Sequence, residues 1–167
     1  MNFVIFFSYK MVIIMGKYEI RTWDSLTVGE KASLTKTISE EDDKIFADIS
    51  GDFNPAHTDE DYAKTTQFKT RIVHGALTNS LISAVVGMKL PGVGCIYANQ
   101  DSRFTAPVHF GSKLTAWAEV AEKYTKKDGK LKFVKIKAWV AIDDDPVDPS
   151  QNGKNAVEGM ATIMMLK

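Results

Sequence analysis

Hydrophobic and polar positions change period three times along the chain. In KASLTKTI the apolar Ala32, Leu34 and Ile38 alternate with polar residues and share one face, the period-2 pattern of a half-buried strand. Ser39 then stands where a helix N-cap is wanted, with Asp42 three residues on, a capping box opening a short helix through Ile45, Phe46 and Ile49. Thr58 and Asp61 offer a second capping box and a short helix through Ala63. From Arg71 to about Met88 the period is helical: Ile72, Val73, Ala76, Leu77, Ser80, Leu81, Ala84, Val85 and Met88 recur at that spacing, with few charges between them. A helix this apolar belongs in the middle of a fold, and Pro91-Gly92 with Gly94 ends it. Thereafter the alternation returns in four stretches, roughly Cys95–Phe104, Lys113–Tyr124, Lys130–Ile142 and Ala156–Leu166. Asp128-Gly129 is a hairpin signal, and the acidic DDDPVDPSQNG (Asp143–Gly153) reads as a longer loop.

This order predicts an α+β domain: an antiparallel sheet wrapped around one long buried helix. A single helix cannot cover a sheet with open edges, so pairing with a second copy, a homodimer or a dimer of dimers, is expected. Composition narrows the class. At 167 residues and 44% hydrophobic, the chain suits one domain with a real core. Lys plus Arg and Asp plus Glu are 21 each, so no basic surplus points to nucleic acid. The lysines around Tyr124 read as a solvated hairpin, the alternative being a rim that attracts an anionic substrate. The single cysteine, Cys95, excludes an internal disulfide and reads as core filling in a cytoplasmic protein. The first fifteen residues, MNFVIFFSYKMVIIM, are too short to span a bilayer and lack the layout of a signal peptide. Residues 1–15 are expected to be an extension upstream of a domain covering 16–167, Met11 and Met15 being alternative starts and a membrane anchor the alternative reading.

One stretch suits neither a helix nor a strand. SGDFNPAH, Ser50 to His57, sets an acid and an imidazole five residues apart on an irregular segment. Pro55 fixes a backbone angle and Asn54 bonds its own backbone, so the turn is stiff. Asp52 and His57 offer two proton-transfer groups able to hold one water between them. Spacing alone favours the plainer reading, a capping Asp52 and a His57 stacked in a turn. A metal set of His57, Asp59 and Asp61 is weaker still. A second element, IVHGAL (Ile72–Leu77), opens the apolar helix, and Gly75 there presents a backbone N–H with no side chain in front of it. Such a group can donate to a carbonyl oxygen that gains negative charge. His74 beside it reads as a structural hydrogen-bonding residue, His109 carries no role, and Trp117 and Trp139 read as sheet packing.

These elements also carry a resemblance. FADISGDFNPAHTDEDYA (Phe46–Ala63), the run Thr65–Gly94 and RFTAPVHFGSKLTAWAEV (Arg103–Val120) resemble the MaoC-like dehydratase family, in particular its single-domain (R)-specific enoyl-CoA hydratases. The resemblance spans roughly Leu26 to Leu166. It implies the hot-dog fold, a dimer, and reversible syn addition of water to a trans-2-enoyl-CoA giving an (R)-3-hydroxyacyl-CoA, with no metal or redox cofactor. It implies that Asp52 and His57 activate water, that the Gly75 N–H binds the thioester oxygen, that Ser83 helps position the catalytic groups and that Asn54 holds the loop. Ala56 departs from the family's larger aliphatic residue, and Ser112 from its Asp, at a turn where little change is expected. Alternatives are a dehydratase acting on acyl carrier protein or on a specialised acyl-CoA, and a non-catalytic acyl-CoA-binding module. A hot-dog thioesterase is disfavoured because Ile72–Met88 carries no acid.

Overall fold

The computed structural model describes residues 4–7, 10–15 and 18–166, with side chains from residue 20 onward. Three short strands, β1 (Val4–Phe7), β2 (Lys10–Met15) and β3 (Tyr18–Arg21), pair antiparallel in that order. The alternating pattern does not announce them, because VIFF and KMVIIM are runs with no period of two. After a single 3-10 turn at Trp23–Ser25, the main body begins with β4 (Lys31–Thr37). Then come α1 (Glu40–Ser50), α2 (Pro55–Thr58), α3 (Glu60–Thr65) and α4 (Gly75–Met88). Strands β5 (Cys95–Phe104), β6 (Lys113–Lys126), β7 (Leu131–Asp144) and β8 (Asn155–Met165) complete the chain.

The main sheet is antiparallel throughout in the order β4-β6-β7-β8-β5. Helix α4 touches all five of its strands. This is the sheet wrapped around one helix that the periodicities predict, and the hot-dog arrangement that the resemblance implies. The core follows from the period of each element: Leu114, Ala116, Ala118 and Val120 of β6 and Val134, Ile136, Ala138, Val140 and Ile142 of β7 face Leu81, Ile82, Val85 and Val86 of α4. Trp117 and Trp139 stack across the opposite face, 5.9 Å between ring centroids. The β6–β7 hairpin turns through Lys127, Asp128 and Gly129, all in the left-handed region. Cys95 is half-buried against the core, and burial pushes its thiol up, as suits a residue that fills space.

The structure differs from the sequence expectations in four places. Helix α4 starts at Gly75, so Arg71–His74 is an extended lead-in whose Val73 amide bonds the Val108 carbonyl. The cap of α3 is Asp59, which accepts from the amides of Asp61 and Tyr62, whereas Thr58 ends α2. Ser112, at the turn after Gly111, is fully buried with an unpaired hydroxyl, a burial that its place in a turn does not suggest. His109, given no role, is buried against Asp145. Helix α4 also keeps an uncovered face in the single chain: Ala76, Ser80 and Ser83 are exposed.

Candidate active site

The site is built where α1 ends and α4 begins. Ser39 and Asp42 form the expected capping box at the start of α1, and Lys36 grips Asp42 Oδ1 at 2.8 Å. The Lys36 bond, the Ser39 amide and the Ser39 hydroxyl together bring the Asp42 carboxyl down to about 2. The helix stops at Gly51, whose φ of 76° is left-handed and whose amide closes on the Ala47 carbonyl. The next residues bond one another. The Asn54 amide donates to Asp52 Oδ1 at 3.1 Å, and the Asn54 side chain accepts from the Ala56 amide at 3.0 Å, capping α2 with Pro55 in its first turn. Thr58 Oγ1 donates to the carbonyls of Phe53 and Asn54. Asn54 therefore ties the loop locally and caps α2.

The lead-in to α4 runs alongside. The Ile72 amide bonds the Ala56 carbonyl, and the Ile72 carbonyl accepts from His57 Nδ1 at 2.8 Å. With Nδ1 donating, His57 Nε2 is left as the free nitrogen. Arg71, mostly shielded, reaches Glu40 of α1 at 3.0 Å and Glu60 of α3 at 3.2 Å, locking the two helices to this strand. The Arg71 amide, working against burial and joined by the Thr70 hydroxyl and the guanidinium, holds the Glu60 carboxyl below its ordinary value.

Asp52, His57 and His74 converge: one oxygen and two ring nitrogens from them lie within 4.8 Å of one another. The rings of His57 and His74 stack at 3.8 Å between centroids. This is not a metal-ligand set. His74 Nδ1 faces Asp43 Oδ1 at 2.8 Å and Nε2 faces the Asp52 carbonyl at 3.0 Å, so neither nitrogen keeps a lone pair for an ion. Nor do His57, Asp59 and Asp61 form one, since Asp59 caps α3 and Asp61 is exposed beside Lys64.

His57 borders two cavities. One, of about 380 Å³, is mainly apolar and is lined by Ile72, Val73, Gly75, Thr78, Phe104 and Pro107 among others. The other, of about 300 Å³, is lined by charged groups including Glu40, Asp43, Lys44 and Arg71, with Phe53 and Phe110. Gly75 is the first residue of α4, and the His74 side chain does not cap that turn. A Cβ on Gly75 would stand 3.0 Å from the Phe104 ring, so glycine leaves the amide open on the cavity side. His57 and Gly75 thus share one cavity, and Asp52 and Asn54 lie near His57 on its loop, exposed and lining neither cavity. Ser83 is on the exposed face of α4, away from that loop and from both cavities. Asp43, Thr78 and Phe104 join the site without having been expected. Asp43 hides within the acidic run EEDDK, where it reads as solvated, and Thr78 within the apolar run of α4.

A helix start and an imidazole on an apolar cavity, with an acid near the imidazole, make an apparatus for chemistry beside a carbonyl. Residues 25–141 match the MaoC like domain, and the chain belongs to that family. It is 45% identical over 143 residues to the (R)-specific enoyl-CoA hydratase of Rhodospirillum rubrum, covering 86% of this chain and 90% of that one. Among solved structures it resembles the R-hydratase PhaJ1 from Pseudomonas aeruginosa in the unliganded form, with a TM-score of 0.73, 43% identity, and 86% and 84% of the two chains covered. The (R)-hydratase from A. caviae involved in PHA biosynthesis gives a TM-score of 0.72 at 37% identity, covering 83% of this chain and 96% of that one.

Proposed function

We propose that the protein catalyses reversible syn hydration of a trans-2-enoyl-CoA to an (R)-3-hydroxyacyl-CoA, with Asp52 and His57 activating water and the Gly75 amide binding the thioester oxygen. The observation that carries this reading is the commitment of His57 Nδ1 to the Ile72 carbonyl, which leaves Nε2 free on a ring that lies near Asp52 and lines the same cavity as Gly75.

A thioester withdraws electrons from the conjugated double bond, so C3 is electrophilic. As water adds there, negative charge collects on the thioester oxygen. A backbone N–H at a helix start stabilises that charge, and one such donor is worth about 3 kcal/mol. Asp52 and His57 take a proton from water and return one to C2, a general acid–base contribution of about 10²–10⁴-fold. The bonds formed are C3–O and C2–H, water supplies both atoms, and no redox or metal cofactor is required. The apolar cavity suits the acyl chain.

The chain works as a homodimer in this reading. Ile96 and Phe104 on the edge strand β5, Met88 at the end of α4 and Met160 on β8 are exposed apolar residues of a single copy. Covering the open face of α4 would also enclose Ser83, which is how it would reach the substrate. Light scattering at micromolar protein is expected to give at least twice the chain mass; a monomer mass refutes the dimer. A cytoplasmic location accords with the lone cysteine, and among the described residues no helix is long and apolar enough to cross a membrane.

The activity is tested by following loss of enoyl-thioester absorbance with crotonyl-CoA. Rapid loss with (R)-3-hydroxybutyryl-CoA as product, abolished by Asp52→Asn and by His57→Ala, is the expected result. Turnover of a carrier-bound enoyl substrate but not of crotonyl-CoA makes the protein a carrier-protein dehydratase. Tight acyl-CoA binding without turnover makes it a binding module.

A further inference from the structure

His74 has no part in the chemistry just described, yet it is the most tightly held ionisable side chain at the site. Its residue is 1% exposed. The backbone amide of His74 donates to Asp43 Oδ1 at 2.8 Å, and ring Nδ1 lies at the same distance from that oxygen. Nε2 meets the Asp52 carbonyl at 3.0 Å. A carbonyl oxygen can only accept. Nε2 therefore donates to the loop, and Nδ1 is held against the Asp43 carboxyl. Its other neighbours are Phe46 of α1 at 5.2 Å between ring centroids, the stacked His57 ring, and Asp52 Oδ2 at 3.9 Å from Nε2.

The Asp52 bonds show what this arrangement does. Its amide reaches Ser50 Oγ, and its carboxylate takes the Asn54 amide. Both partners are two residues away, so these bonds shape the loop without fixing where the loop sits relative to α4. The bond from His74 Nε2 to the Asp52 carbonyl ties this end of the loop to the start of α4, as the Ile72 bonds to Ala56 and His57 tie the other end. His74 also immediately precedes Gly75, and its ring face meets the ring of His57. One side chain therefore touches the acid and the base and adjoins the oxyanion donor.

We propose that His74, anchored by Asp43, is a positioning residue that sets the distances among Asp52, His57 and the Gly75 amide. Its kinetic test rests on the hydratase reading; a spectroscopic test does not. His74→Phe keeps a flat ring against His57 and loses both ring nitrogens. His74→Gln loses the ring but offers a side-chain N–H long enough to reach the Asp52 carbonyl.

The expected result is a kcat for crotonyl-CoA hydration lowered on the order of 10²-fold in His74→Phe, the scale of a small misplacement at a reacting centre, with KM little changed. His74→Gln recovers roughly a tenth or more of the wild-type kcat, because it restores the tie to the loop. A His74→Phe enzyme with near-normal kcat, or a His74→Gln enzyme no better than His74→Phe, overturns the proposal. Ring ¹⁵N spectra of the wild-type protein, which has three histidines, supply the independent readout. His74 Nε2 should carry a proton, with His57 protonated at Nδ1 and that assignment lost in His74→Phe. A His74 ring without a proton on Nε2 refutes the proposal even if the variants fail to fold. A wild-type protein inactive on every enoyl thioester with the expected His74 spectrum refutes the hydratase reading and leaves the positioning role standing.

Discussion

Two buried histidine–aspartate pairs occur in this chain, and their direct contacts are almost the same. Nδ1 meets a carboxylate oxygen at 2.8 Å in His74–Asp43 and at 2.9 Å in His109–Asp145. What surrounds each pair differs. Asp145, 1% exposed, uses its other oxygen to accept the amides of Val147 and Asp148, and its own amide donates to Asn152. Burial pushes its carboxyl up, but those two amides and the His109 ring outweigh burial and hold it below the ordinary value. The pair fastens the acidic loop after β7 to the PVHFG turn before β6. Asp43 instead spends one oxygen on the amide and the ring nitrogen of the same residue, and the ring it holds lies against a second imidazole beside a cavity. The same pairing thus serves as architecture in one place and as the support of a reactive loop in the other. The ring's remaining nitrogen and face decide which.

The largest effect that separates the two regions comes from replacing one histidine in each. His57→Ala is expected to lower kcat by about 10²–10⁴-fold, the range for losing a general acid–base group, with unfolding free energy changed by no more than about 1 kcal/mol. His109→Ala should do the reverse. It leaves kcat within about twofold and costs about 3 kcal/mol, because a buried carboxylate loses a hydrogen-bond partner. Initial rates with crotonyl-CoA and urea denaturation, measured on both proteins, decide it. An inactive but stable His109→Ala would erase the distinction between the pairs.

A smaller effect sharpens the boundary of the reactive region. Gly75 is not in the left-handed region, so alanine fits the backbone, and the Phe104 ring that its Cβ would meet is exposed and able to swing. Gly75→Ala should therefore leave stability within about 0.5 kcal/mol. The methyl stands in front of the amide on the cavity side, and kcat/KM should fall on the order of 10-fold through misplacement of the thioester. Unchanged kcat/KM would move the oxyanion donor elsewhere.

Much of the reactive region can be read from the chain because its parts act locally. In SGDFNPAH, Gly51 takes the left-handed turn, Asn54 caps the next helix and Pro55 opens it, each within four residues of its partner. Strands β6, β7 and β8 and helix α4 are legible for a similar reason: one face of each is buried, so burial writes its period into the sequence. Contacts between distant residues leave no such trace. Asp43 and His74 are 31 positions apart, and His109 and Asp145 are 36 apart. Each of these residues sits in a local context that suggests a solvated acid or a turn. The choice between Thr58 and Asp59 as a cap fails for a different reason. Adjacent residues both had capping side chains, and the end of α2 consumed the first. Ser83 needs a covered α4 face to make sense, and a single copy does not cover it.

The smallest expected effect concerns acid. Asp145 has a folded-state pKa below its unfolded value, so it contributes stability at pH above the ordinary carboxylate value of about 4. That contribution is lost as pH falls from there through the lower folded value, where the native state must also take up the proton. One group changes the slope of stability with pH by at most about 1.4 kcal/mol per pH unit. Asp145→Asn retains an oxygen for the amides of Val147 and Asp148 but cannot carry the charge opposite His109, so its stability should fall less steeply on acidification below pH ~4. Asp148, whose carboxyl is also held low, by the side chains of Gln151 and Ser150 and the Ser150 amide, keeps its own share of the slope in both proteins. Urea midpoints measured between neutral and acid pH give the comparison directly. Parallel curves would mean that the His109–Asp145 pair is held by packing alone, and that its likeness to the His74–Asp43 pair ends at the interatomic distance.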